Sequence, residues 1–423
     1  MTTCLAPRRS AATVAPGAVF VRALAAALAA ALVLGACARQ DEGTVDEASF
    51  FARHWADPLP AQGPLPTGLS ALEASLAPQA CGQCHVPQWQ QWQTSLHARA
   101  VGPGLLWQLY LMDQAQANRC LRCHAPLAEQ KALLAQAMAW PVRPAASAPP
   151  HVPEDLARQG LVCAACHVRD QRRIGPVPRG GSAGATSAGA HGGFVATPAF
   201  SDSRLCAHCH QFPADGPRIA GKLNEDTYEQ WKASPSAAER SCQDCHMPDR
   251  RHLWRGIHDP ETTRSAIDVT LQLQRAATGG YRAAAVVRNV AAGHHFPTYM
   301  VPKVELQFAR VASDGSRTAL GTQVIGWSVD TELRHEIADT RIAAGESRRF
   351  ELAFDAPTPS GWELELRIVV RPDEHYERTF RQSLAQSERL PQAALAPLRA
   401  AYEHSRSTAY ELMRLRQAPR IAN

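Results

Sequence analysis

The sequence is short of aromatic residues, short of methionine and short of long apolar runs. Phe, Trp and Tyr together make up 6% of 423 residues, and only six methionines occur. Large rigid side chains therefore have little to contribute to a core. The longest apolar stretch runs from Ala23 to Leu34, twelve residues, against the roughly 20 that a helix needs to cross a bilayer. Charge imbalance is also slight: 44 Lys and Arg against 39 Asp and Glu give +5 at pH 7. Basic residues form no stripe interleaved with aromatics, so nothing points to a nucleic-acid partner. What the chain has instead is 31 prolines and 27 glycines, which predict much irregular backbone.

Its twelve cysteines are the informative residues. Ten fall in five C-x-x-C pairs, each followed at once by histidine: Cys81–Cys84–His85, Cys120–Cys123–His124, Cys163–Cys166–His167, Cys206–Cys209–His210 and Cys242–Cys245–His246. C-x-x-C-H is the attachment signature of c-type haem. Two thiols bond to the porphyrin edge, and the adjacent imidazole takes one axial position on the iron. Histidine is 17 of 423 residues, so five chance placements have a probability on the order of 10⁻⁷. Structural zinc draws four ligands per ion, typically from two such pairs; five pairs leave one over, and zinc needs no histidine after each. A disulfide framework is a poor match too, because cysteines two residues apart close only trivial loops. The expected cofactors are five covalently bound c-type haems. They would occupy residues 81 to 246, too little polypeptide to wrap each macrocycle separately, so the haems must pack on one another.

The remaining cysteines, Cys4 and Cys37, lie at the N-terminus. Arg8, Arg9 and Arg22 precede the short apolar run, and Leu34-Gly35-Ala36-Cys37 follows. Charge, apolar core and small residues form a secretory signal pattern. The last four residues resemble a bacterial lipobox, which implies cleavage before Cys37 and lipidation of its thiol. Ala38 follows, without a retention aspartate, which favours the outer membrane. The expected product is exported, anchored by lipid at the periplasmic face, with redox proteins of the cell envelope as partners.

The expected fold class is α+β: a loop-rich, mainly helical multihaem domain, then an antiparallel β-sandwich, then a C-terminal helix. Boundaries fall at 1–36 for the signal, 37–80 for a tether with a Pro-rich arm, 81–262 for the haem domain, 263–385 for the sandwich and 386–423 for the helical end. Within the haem domain, 88–100 and 129–139 predict helices and 175–193 predicts a surface loop. After Thr263 the pattern changes to period-two alternation, beginning with Ile267-Asp-Val-Thr-Leu-Gln-Leu. Further strands are predicted at 281–290, 304–311, 323–329, 347–354 and 362–370, with turn residues at Gly279-Gly280, Asp314-Gly315 and Gly345-Glu346. From Pro391, spaced Leu and Tyr residues up to Leu415 predict one or two closing helices.

Proximal iron ligands are expected to be His85, His124, His167, His210 and His246. Histidine outnumbers methionine as a source of the second axial ligand. The distal candidates are His97, His191, His252, His258 and His295. Of the doublet His294-His295, His295 is ranked first. His208 sits inside the fourth motif, too strained to serve its own haem.

This arrangement resembles the multihaem cytochrome c superfamily, which includes the tetrahaem acceptor of hydroxylamine oxidoreductase and the pentahaem ammonia-forming nitrite reductase. The resemblance covers about residues 78 to 300. It rests on Cys81 to His97 with Trp89 and Trp92, on Cys242-Gln-Asp-Cys245-His246-Met-Pro, and on Gly293-His294-His295-Phe-Pro-Thr. It implies bis-histidine haems stacked in parallel and perpendicular pairs. The chain lacks the C-x-x-C-K of that nitrite reductase and the eight attachment sites of hydroxylamine oxidoreductase, so neither enzyme's activity carries over. Three functions stay open: an electron carrier, an oxidoreductase in which one haem keeps an open position for a small nitrogen or sulfur compound, or a structural or sensory haem protein in a larger complex. In the second case Arg334, His335, His375 or Tyr376 could supply protons, and nothing in the spacing singles them out. Either reading predicts that the mature protein's mass exceeds its polypeptide mass by five haems. A haem assay against protein mass checks this, and four or fewer haems per chain would contradict it.

Overall fold

The computed structural model describes residues 47–419, except 146, 181–188, 278 and 357–360. Cys4, Cys37 and the signal lie outside the described residues. The first described helix is Glu47–His54. No helix among the described residues is long and apolar enough to cross a membrane.

Between residues 53 and 266 the chain is a set of short helices and turns. Helix α1 is Val86–Thr94, α2 Pro103–Leu109, α3 Gln114–His124 and α4 Ala128–Ala137. The expected helix over 88–100 thus stops at Thr94. Ser95 is extended there, its hydroxyl turned back to Trp92 O at 2.7 Å, and a 3-10 turn follows at His97–Arg99. Asp113 caps α3 through Gln116 N at 2.7 Å, an Asp-x-x-Gln capping box. Each cap fixes where the following motif turn begins. Leu76, Leu109, Leu121, Leu127 and Leu156 are fully buried and form a small apolar core on one side of these helices. Short strands interrupt the helices at 168–169, 172–175 and 194–196, joined into one small sheet. The last two flank the expected 175–193 loop, most of whose tip is outside the described residues.

From Ile267 the chain forms three antiparallel sheets, the smallest pairing residues 327–329 with 336–339. Strands are β1 Ile267–Arg275, β2 Tyr281–Asn289, β3 Lys303–Ala312, β4 Arg317–Ile325, β5 Ser347–Phe354 and β6 Trp362–Arg371. The three-stranded sheet has order β5-β2-β1. In the four-stranded sheet β6 and β3 are central, β4 lies outside β3, and a final strand, β7 Tyr410–Gln417, lies outside β6. Residues one apart point to opposite faces, so Leu364, Leu366, Ile368 and Val370 of β6 all enter the core with Leu306 and Phe308 of β3. The fold class is α+β, as the sequence pattern implies.

Helices α5 Glu374–Ala385 and α6 Gln392–Ser407 follow β6. The closing segment departs from the helix expected through Leu415: residues 410–417 are the strand β7. Its alternation explains the departure. Met413 and Leu415 face the core, joined by Leu412, the extra residue of a β-bulge opposite Ile368 and Val369, while Arg414 and Arg416 on the other face reach the carboxylate of Glu365, which is fully buried. Only a strand places both arginines over that acid, and an unpaired Glu365 would be costly. Residues 374–385, expected inside the sandwich, are helical, and Phe380 packs edge-on to Trp107 of α2. Truncating Leu366 to alanine is expected to destabilise the sheet region by about 2–5 kcal/mol. Denaturant unfolding followed by far-ultraviolet circular dichroism measures this; a loss below about 1 kcal/mol would contradict the packing.

Candidate functional site

The five C-x-x-C-H motifs each form a single helical turn: Pro78–Gly82 runs into the first, α3 ends in the second, and Cys163–His167, Arg204–His210 and Cys242–His246 carry the rest. No disulfide joins any of the ten motif cysteines. They line one cavity of about 4,110 Å³ with the five motif histidines. An ordinary ligand pocket is roughly 300–1,000 Å³, so this space suits several large groups side by side.

Four motif histidines face a second imidazole across the cavity. Ring centres are 6.3 Å apart for His85 and His191, 6.3 Å for His210 and His97, 6.1 Å for His167 and His252, and 6.3 Å for His246 and His294. An imidazole nitrogen bonds a metal at about 2.0–2.1 Å, and two rings on opposite sides of one ion therefore have centres roughly 6 Å apart. All four pairs match that separation. The planes are nearly parallel for His246–His294 and His85–His191, at 7° and 17°, and crossed at 62° for His97–His210. The residues present fit irons held between paired imidazoles.

The rings are also aimed. His124 Nδ1 lies 2.7 Å from Ala100 O, His167 Nδ1 2.9 Å from Ile174 O, and His246 Nδ1 2.7 Å from Arg255 O. On the opposite side His252 Nδ1 is 3.0 Å from Arg250 O and His294 Nδ1 2.8 Å from His295 O. A carbonyl at Nδ1 demands the N–H there and leaves the Nε2 lone pair for a metal. Burial lowers the pKa of His294 to about 4, of His97 to about 3 and of His167 to about 4. The rings are therefore neutral at pH 7, the form that ligates.

Distant residues set the opposing rings in place. Glu73 accepts from His191 N at 2.7 Å, and that bond is the main reason its carboxyl falls to about 2. Gln91 of α1 accepts from His252 N at 2.7 Å. Buried Asn289, at the end of β2, donates to His294 O and Ile342 O at 2.9 and 3.1 Å, and accepts from Ala292 N. Gly160 holds the His97 turn. At φ +65 its bare Cα sits against the His97 carbonyl and 2.8 Å from Ala100 N, measured from where a Cβ would stand. Trp254 lies edge-on to both His97 and His252, at 4.7 and 5.1 Å.

Of the distal candidates, His97, His191 and His252 stand opposite motif rings. His258 does not: its Nε2 is 3.2 Å from both oxygens of Asp373. His295 does not either. Its backbone carbonyl orients His294, and it is His294 that faces His246. The doublet alone gave no means of choosing, because the choice depends on how Asn289 folds the loop. His208 stacks on Trp55 at 5.0 Å. Among the described residues no imidazole pairs with His124. His335 bonds Asp330 at 2.8 Å, while His375 lies beside Arg378 and Thr379.

Sulfurs of different motifs also meet. Cys81 contacts Cys163, Cys123 contacts Cys209, and Cys206 contacts Cys242. These contacts hold down the pKa of Cys81, Cys123 and Cys242 and raise those of their partners. The first motif thus adjoins the third, and the fourth adjoins both the second and the fifth.

The overall fold has a counterpart among solved structures. The crystal structure of a penta-heme cytochrome c552 from Thermochromatium tepidum matches 82% of this chain and 99% of its own, with TM-score 0.55 and 17% sequence identity. The chain has that fold. A β-glucosidase from Streptomyces venezuelae aligns at TM-score 0.15 and 14% identity, over 42% of this chain and 23% of its own, too slight a likeness to bear on the fold. No family model matches the sequence, and no curated protein matches it. Replacing His252 by alanine is expected to leave the haem content unchanged while converting one low-spin iron to high-spin, read by electron paramagnetic resonance. An unchanged spectrum would remove His252 from the ligand set.

Proposed function

We propose that this protein is a multihaem cytochrome c that carries five covalently attached haems and relays electrons between redox partners of the cell envelope. The observation that carries this is the four imidazole pairs at iron-bracketing distance, each containing a motif histidine. His85, His124, His167, His210 and His246 would be the proximal ligands, and His191, His252, His97 and His294 the distal ones on the first, third, fourth and fifth haems. Paired imidazoles favour low potentials and suit electron transfer without substrate binding. The contacts between motif sulfurs support a route from the first haem through the third, with the fourth haem joining the second and fifth. Trp254, between His97 and His252, supports close approach of the third and fourth. Export and a lipid anchor on Cys37 would place this relay at the periplasmic face of a membrane, with the outer membrane favoured.

One observation favours the enzymatic reading beside this one. His124 has no opposing imidazole among the described residues, so the second haem would keep an open axial position. Haem with an open position binds small molecules. The oxidised protein is expected to show one high-spin and four low-spin ferric haems per chain by electron paramagnetic resonance. Five low-spin signals would leave the relay in place and remove the open site.

A further inference from the structure

One short segment behind the fifth motif reaches three motifs at once. Arg255 O aims the His246 ring at 2.7 Å, and His252 stands opposite His167. Between them, Trp254 donates its backbone N–H to His246 O at 3.1 Å. Its indole lies edge-on to His252 and to His97, with ring centres 5.1 and 4.7 Å apart. His97 is the ring opposite His210, so the indole touches a ligand of the fourth motif from a segment that follows the fifth. The backbone bends sharply to do this: Asp249, Arg250 and Trp254 have φ of +56, +61 and +43. Residues other than glycine seldom adopt that left-handed region, and such strain persists only where surrounding contacts hold it.

The four ring pairs differ in how their planes meet. His246–His294, His85–His191 and His167–His252 lie at 7°, 17° and 33°, whereas His97 and His210 cross at 62°. The two distal rings beside Trp254 are also held differently. His252 has Nδ1 at 3.0 Å from Arg250 O, and its backbone N–H donates to Gln91 at 2.7 Å. His97 has its carbonyl fixed by Leu161 N at 2.8 Å, but its buried Nδ1 meets no hydrogen-bond partner among the described residues. Its backbone is thus fixed while the rotation of its ring is left to packing. The indole of Trp254 stands at 77° to that ring and abuts the pinned His252 ring at 85°.

Ring planes matter to an iron held between two imidazoles. Low-spin ferric iron has a hole in one of two d orbitals that overlap the ring π systems. Parallel rings act on the same orbital, separate the two in energy and stabilise the ferric state. Crossed rings act on one orbital each, leave the two nearly equal and lose that stabilisation, so the iron is easier to reduce. The axial ligands are among the levers by which a protein sets haem potential, and their orientation is part of that lever.

We infer that Trp254 is a positioning residue that holds the His97 ring across His210 and thereby favours reduction of the fourth haem, at the junction of the second and fifth motifs. This role rests on the relay proposed above and gives an electron a preferred place within it.

The test uses the full haem-loaded chain, followed by low-temperature electron paramagnetic resonance of the oxidised protein and by a potential titration. Wild type is expected to show one strongly anisotropic low-spin iron per chain, the signature of crossed rings, beside rhombic signals from the nearly parallel pairs. Trp254→Ala is expected to keep its haem content and to exchange the anisotropic signal for a rhombic one. At a fixed potential the ferrous-to-ferric ratio of that iron is expected to fall about tenfold, equivalent to about 59 mV. The His167–His252 signal is expected to stay, because Arg250 O still pins His252, whereas a merely structural loss would disturb both. Trp254→Phe keeps a ring edge beside His97 and is expected to retain the anisotropic signal. If the alanine variant loads fewer haems, Trp254→Leu, which fills the space without a flat edge, takes the same test with the same expectation. Wild type without an anisotropic signal, or an alanine or leucine variant that keeps both the signal and the potential, overturns the role of Trp254. Fewer than four bis-imidazole irons in loaded wild type overturns the relay reading itself.

Discussion

The separation between opposed imidazole rings is the constraint on which the rest of the structure depends. A ring pair must hold its centres roughly 6 Å apart to bracket one metal ion, and both rings must present Nε2 inward. Meeting that requirement four times around one cavity explains features that otherwise look unrelated. Carbonyls at 100, 174, 250, 255 and 295 take the outward Nδ1 positions. Glu73 and Gln91 hold the His191 and His252 backbones. Asn289 carries the ring of His294 to the cavity from a sheet strand. In the proposed relay the motif region and the sheets would thereby be joined through a ligand, since His294, which faces His246, follows a sheet strand.

The fully buried leucines of the haem domain gather on one side of the motif helices. In the sheet region, where no cofactor is expected, the core is built in the ordinary way from alternating Leu, Ile, Val and Phe.

Legibility in the sequence followed the range of the interactions involved. The five motif turns, most of the alternating strands from Ile267 to Arg371 and the α4 helix rest on local spacing and could be read directly, whereas the run expected at 323–329 is broken at Gly326 between β4 and a short strand at 327–329 in another sheet. His97, His191 and His252 could be named as candidates because each lies near a motif or breaks a helix or loop. The pairing of ring with ring could not, since it is set by contacts between residues far apart, such as His191 with Glu73. His258 and His295 show the limit from the other direction: one is satisfied by Asp373 across 115 positions, the other lends its carbonyl to its neighbour. The strand at 410–417 was hidden because its Leu and Tyr spacing fits a helix nearly as well, and the deciding partner, Glu365, lies on another strand. That no imidazole among the described residues pairs with His124 is visible only in the folded chain.

The central claim is the identity of the axial ligand pairs, and near-infrared magnetic circular dichroism of the oxidised protein reports on those pairs directly. The account predicts that the charge-transfer bands arise from bis-imidazole irons, four per chain, with no histidine–methionine band. A histidine–methionine signature, or fewer than four bis-imidazole irons in fully loaded protein, would contradict it.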